Sequence, residues 1–191
     1  MKKKLYSILF SFPLLLLLPT VAVAEAPYNF YAPAPVKLIE NVENNHLPQA
    51  ERELAKGNLD FAWGELAFVL HYFPNHPKAL RQAGELSITM GAPAKAVTLF
   101  ERALNLYPSV SETAGIYGEF LVEAHLNDAA ITRLLPLVEE EKVHLTLRYP
   151  LGLAYFAQGN IAKAKEQADI LREHGYPFPT LKDKLAAVGA W

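Results

Sequence analysis

The chain has 191 residues, with 18 lysines and arginines against 20 aspartates and glutamates, a formal charge of −2. A mildly acidic chain lacks the cationic surface with which nucleic-acid binders neutralise phosphate. It contains no cysteine, which excludes disulfides, thiolate zinc sites, cysteine nucleophiles, iron–sulfur clusters and a cysteine-linked lipid anchor.

Residues 1–24 have the three parts of a secretory signal peptide: Lys2–Lys4, an apolar stretch from Leu5 to Leu18, and the small-residue site Ala22-Val23-Ala24. Cleavage is expected after Ala24, leaving Glu25 as the new terminus. The alternative is a retained membrane anchor, which Pro13 and Pro19 weaken as a spanning helix. The short lysine start with its AVA site looks bacterial, so the expected address is periplasmic or secreted. Without the three signal lysines the chain holds 20 acidic residues against 15 basic, a net charge of −5.

Residues 25–35 (EAPYNFYAPAP) are rich in proline and aromatics and are expected to be extended. They resemble a ligand for a groove, so the tail could dock on this chain or on a second copy. A short helix is predicted over Val36–Val42.

From there small residues return every 34 positions. Gly57, Gly91 and Gly159 form one series, Ala62, Ala96, Ala130 and Ala164 a second, and Gly84, Gly118 and Gly152 a third; Pro74 and Pro108 share the frame. The units are 43–76, 77–110, 111–144 and 145–178. Within each second helix the apolar spacing is helical, as in Val97, Phe100 and Leu104. A glycine inside a helix costs about 1 kcal/mol against alanine, so its periodic return implies close packing between helices A and B of a unit. The glycines at 57, 91 and 159 suit left-handed helix ends.

The third unit departs from this pattern. His125 stands where a turn glycine is expected and Lys142 where a proline is. Pro136 lies inside the second helix, predicting a kink or an early end. Pro48 and Pro150 are expected near helix starts. After the fourth unit a capping helix is predicted over Leu181–Val188, with Thr180 as its N-cap.

This 34-residue pattern resembles the tetratricopeptide repeat, a pair of antiparallel helices per unit. The second unit carries it most fully, with Gly84, Gly91, Ala96, Phe100, Ala103 and Pro108. The resemblance implies an all-α, right-handed superhelix of about four hairpins with a C-terminal cap, whose first helices line a concave groove. Carried onto this chain, it assigns Leu47, Glu51 and Leu54 to the groove from the first unit and Lys78, Arg81, Glu85 and Ile88 from the second. The third supplies Glu112, Glu119 and Glu123, and the fourth Tyr149, Leu153 and Phe156. The groove would then have a basic step at Lys78 and Arg81, an acidic stripe and an aromatic floor. Two alternatives stay open: the glutamates as a solvated face, and the aromatic floor covered by the C-terminal helix. The basic and asparagine clamp by which some members grip a terminal carboxylate is missing, since Leu47, Glu51 and Glu112 occupy its positions.

Catalytic patterns are absent from the sequence. The six histidines form no His-Glu-x-x-His pair, and there is no Gly-x-Ser-x-Gly elbow or phosphate-binding glycine loop. No metal or cofactor is implied. The expected role is a non-enzymatic scaffold in the cell envelope that binds a peptide or helix of another protein. Pilus, secretion or cell-wall assembly is the expected setting. The alternative is a subunit that positions or regulates a cell-wall hydrolase or synthase.

Overall fold

The computed structural model describes residues 26–140 and 144–191. The signal segment, its cleavage site at Ala24 and Glu25, and Lys142 lie outside the described residues. Among the described residues all regular structure is helical. The elements are α1 (Val36–Asn41), a π-helical turn (Val42–His46), α2 (Leu47–Ala55), α3 (Leu59–Tyr72), α4 (Pro77–Thr89) and α5 (Pro93–Leu106). They continue with α6 (Ser111–Glu123), α7 (Asn127–Glu140), α8 (Leu145–Ala157), α9 (Ile161–Glu173) and α10 (Pro179–Ala187).

The helices pack in sequential pairs, α2 on α3, α4 on α5, α6 on α7 and α8 on α9. The first helices also touch along the array, α4 on α6 and α6 on α8, while α10 closes the end against α8 and α9. The fold is an all-α array of helical hairpins with a C-terminal helix.

Each pair turns on the same backbone device. The residues at 57, 91, 125 and 159 have φ of 80°, 65°, 60° and 75°. The following amide reaches back to the last turn of the helix in every case: Asn58 to Glu53, Ala92 to Ser87, Leu126 to Leu121 and Asn160 to Tyr155, at 2.7–2.9 Å. This is the Schellman closure that left-handed residues make possible. His125 therefore adopts the glycine conformation without being glycine.

The periodic alanines are sealed between helices, Ala62 at 1% exposure and Ala96, Ala130 and Ala164 at 0%. The helical glycines serve both the expected packing within a unit, at Gly118 and Gly152, and the junction with the next element along the array. A Cβ at Gly84 would lie 2.9 Å from the Phe120 ring on α6. One at Gly118 would meet Leu134 Cδ1 at 2.6 Å on its partner α7 and Pro150 Cβ at 3.1 Å on α8. One at Gly152 would meet Leu181 Cδ2 at 2.5 Å on α10. Gly84 and Gly118 make room for a side chain of the following unit's first helix, and Gly152 for one of the C-terminal helix α10.

Pro48 is the second residue of α2, near its start as expected, although the backbone enters already helical and the Leu47 amide bonds back to the Val42 carbonyl. Three local expectations need correction. Helix α7 runs through Pro136, an exposed position, to Glu140, so it does not end early there. Likewise Pro150 lies inside α8, five residues past its start. Finally, α10 begins at Pro179 with Phe178 as N-cap, two residues before the expected start at Leu181 and cap at Thr180, because proline fits the first helical position.

Candidate interaction groove

The expected groove residues come from the exposed sides of α4, α6 and α8. Three connected clefts run across these helices. The first holds Arg81, Glu85, Glu119 and Glu123 over the Gly84–Phe120 junction. The second, about 360 Å³, passes between Glu119, Glu123, Tyr149 and Leu153 and is closed by Thr180 and Lys184 of α10. The third, about 180 Å³, lies between Arg81, Glu112, Gly115, Glu119, Tyr31 and Tyr176. Arg81 and Glu119 join the first cleft to the third, and Glu119 and Glu123 join it to the second.

The structure thus brings together Arg81, Glu85, Glu112, Glu119, Glu123, Tyr149 and Leu153. Phe156 lies further along α8, half-buried, with the Lys184 Nζ 5.6 Å from its ring centre. The first unit contributes less than expected, since Leu47 is 1% exposed and belongs to the core. The aromatic floor is partly covered by α10, and Tyr149 and Leu153 remain half-exposed at the cleft.

The basic step is neutralised by its neighbours. Lys78 Nζ sits 2.8 Å from Glu51 Oε1, which also accepts from Gln82 at 2.8 Å. These donors, Lys78 foremost, hold the Glu51 carboxyl below the usual range. Arg81 donates to Glu119 across the α4–α6 junction. Glu85, Glu112 and Glu123 have no ion-pair partner among the described residues. The Glu123 carboxyl is pushed up, first by lost hydration and then by Glu85 and Glu119, with Arg81 opposing. Partial burial raises Tyr31 and Tyr176, with Glu112 and Glu119 respectively adding to the effect.

Tyr31, Tyr176, Thr180 and Lys184 were not among the groove residues read from the sequence. Tyr31 lies outside the 34-residue frame, and Tyr176 stands in the irregular end of the fourth unit, where the frame places Pro74 and Pro108, so periodicity carries no signal for either tyrosine.

The tail is anchored mainly on the α3–α4 loop. The Tyr28 amide donates to the Tyr72 carbonyl at 2.7 Å and the Phe30 amide to Asn75 Oδ1 at 2.9 Å. Asn75, fully buried, donates in turn to Asn29 Oδ1 at 2.7 Å. Tyr107 Oη donates to the Pro27 carbonyl at 2.8 Å. Phe30 packs on His76 with ring centres 4.3 Å apart, and both Tyr28 and Phe30 lie against Phe73. Residues 29–32 make a turn, Ala32 amide to Asn29 carbonyl, where an extended strand was expected. Only Tyr31 reaches the groove.

A shallower depression of about 750 Å³ lies on α5 beside Pro27. Its charged groups are already engaged. Arg102 caps α3 through the Leu70 and His71 carbonyls at 2.7 and 3.3 Å, and Glu101 takes Tyr117 Oη at 2.8 Å and Arg133 at 2.7 Å. The α4–α6–α8 face is the better candidate because three of its four carboxylates, Glu85, Glu112 and Glu123, have no ion-pair partner among the described residues.

No family model matches the chain and no curated protein matches it in sequence. Among solved structures, PilF of Pseudomonas aeruginosa aligns with a TM-score of 0.54 at 22% identity, over 78% of this chain and 69% of that one. MamA from Desulfovibrio magneticus RS-1 aligns at 24% identity over 68% of this chain and 73% of that one, with a TM-score of 0.47. The AMB-1 MamA aligns at 19% identity over 81% and 84%, also with a TM-score of 0.47. At such identities the likeness bears on the fold. Paired helices, repeated left-handed turns and the PilF alignment together identify the fold of this chain as a tetratricopeptide-like solenoid.

Proposed function

We propose that this protein is an exported, non-enzymatic scaffold whose α4–α6–α8 face holds a peptide or helix of another envelope protein. The observation that carries the reading is the connected cleft across three successive first helices, where half-buried Tyr149 and Leu153 adjoin Glu123, a carboxylate with no ion partner among the described residues. Aromatic anchors beside polar groups are the usual composition of an interaction hot spot. The envelope setting rests on the signal-like residues 1–24, and pilus, secretion or cell-wall assembly is the machinery it suggests.

A photocrosslinking amino acid placed at Tyr149 or Phe156 tests the reading in cells. The expected product is one envelope protein, captured more efficiently there than from Thr98 or Thr132, which are exposed on α5 and α7. The captured protein, once purified, should bind the full chain and lose affinity on Tyr149→Ala. More efficient capture from Thr98 or Thr132 would place the interaction on the opposite face.

A further inference from the structure

Charge around the groove narrows the chemistry of its occupant. Four carboxylates border the connected clefts, Glu85, Glu112, Glu119 and Glu123, against two cations, Arg81 and Lys184. Arg81 is engaged by Glu119, and Lys184 lies over the Phe156 ring. The remaining three carboxylates have no cation within ion-pair distance among the described residues.

Tyrosines from three separate elements converge on the same place. Tyr31 comes from the tail, Tyr149 from α8 and Tyr176 from the segment after α9. Tyr31 is still 44% exposed although its neighbours 28 and 30 are tied down. A tyrosine face attracts a cation through its quadrupole, and does so more strongly beside carboxylates that share the charge. An acidic occupant would face three uncompensated carboxylates. An apolar one would strip water from them without replacing it.

We propose that the groove receives a lysine- or arginine-bearing segment of the partner protein, its cations lying between the tyrosines and the carboxylates of α4 and α6. This rests on the reading of the face as an interaction groove and specifies its ligand. Burial first, and then Glu85 and Glu119, raise the Glu123 carboxyl, and a bound cation would offset the part that comes from those neighbours.

The test uses the full chain and three fluorescein-labelled 12-residue peptides in which alanine alternates with lysine, glutamate or serine. Fluorescence anisotropy is read at low and at moderate salt. The lysine peptide should bind, more weakly as salt rises, while the other two should not. The double substitution Glu85→Gln/Glu123→Gln should weaken it about fivefold to tenfold, as loss of two screened charge contacts implies. Asp60→Asn/Glu40→Gln removes the same charge from α3 and α1 and should leave binding unchanged. Equal weakening by both doubles would reduce the effect to diffuse attraction by an acidic protein and overturn the proposal. Failure of the lysine peptide to bind would overturn it too. If the serine or glutamate peptide binds instead and Tyr149→Ala abolishes it, the groove stands and its basic ligand does not. If peptide binds and neither Tyr149→Ala nor the Glu85/Glu123 pair alters it, groove and ligand fail together.

Discussion

At residue 91 the turn from α4 to α5 is made by a glycine at φ 65°, and 34 residues later, from α6 to α7, a histidine holds φ 60°. The return bonds are alike, Ala92 to Ser87 at 2.8 Å and Leu126 to Leu121 at 2.7 Å. One turn further into the second helices, Ala96 and Ala130 are both fully buried. Later still, α5 carries Arg102, which caps the preceding hairpin, where α7 carries Pro136. The two hairpins thus share a backbone while differing in turn residue and helix-forming chemistry. Packing between helices imposes the shape, and the turn residue follows.

If that is right, the largest effects belong to the positions the hairpins share. Ala96→Leu and Ala130→Leu should each destabilise the protein by about 2–3 kcal/mol through overpacking. Urea melts of both would check it, and a tolerated leucine at either site would show that the hairpins are not packed alike. Next comes the proline of α7. Pro136→Ala restores an amide donor at an exposed position of the helix and should stabilise by about 1–2 kcal/mol, less than the full cost of an interior proline because the site is exposed. No gain in Tm would mean that the helix is bent to fit it.

The reciprocal exchange at the turns is smaller. His125→Gly should stabilise by about 1 kcal/mol, and Gly91→His should destabilise by a similar amount, since left-handed backbone disfavours a Cβ. Unequal magnitudes in denaturant melts would measure what else His125 does.

The smallest expected effect separates the starts of α4 and α6. Buried His76 caps α4, its Nδ1 accepting from the Ala79 amide at 3.4 Å, whereas α6 begins at Val110 without a side-chain cap. Burial depresses the His76 pKa, opposed by Glu43 whose Oε1 lies 3.4 Å from Nε2, while Lys78 adds to the depression. Above the ordinary histidine value both folded and unfolded states are neutral and the full stability is present. As pH falls through about 6.5 the unfolded state takes up a proton that the fold resists, so stability declines until the lowered folded pKa is passed. Melts at pH 7.5 and 5.5 should therefore show a loss that His76→Asn reduces; an equal loss in the variant would assign it elsewhere.

The hairpin plan was legible because close packing forces small residues to recur: Ala96, Ala130, Gly118 and Gly152 cannot grow without displacing a neighbouring helix. Helical spacing likewise placed Arg81, Glu119 and Tyr149 on accessible faces. What spacing could not show was pairing between helices. Arg81 read as a free cation until α6 brought Glu119 to it. Tyr31 and Tyr176 were hidden for a related reason, since their positions depend on where irregular segments end after the helices have packed. Pro150 misled because proline usually marks a helix start, whereas α8 begins five residues before it.

The tail contact between Tyr107 and the Pro27 carbonyl joins positions 80 residues apart in a molecule whose helices otherwise meet their neighbours in sequence. Local contacts form early in folding, and closing a long loop carries an entropy that grows with its length. The tail should therefore be a late clasp, fastened after the first two hairpins exist. Loosening it by Asn75→Ala would then speed unfolding while leaving the refolding rate nearly unchanged. Residues 26–35, expected from the sequence to be extended, would then set how long the finished array persists.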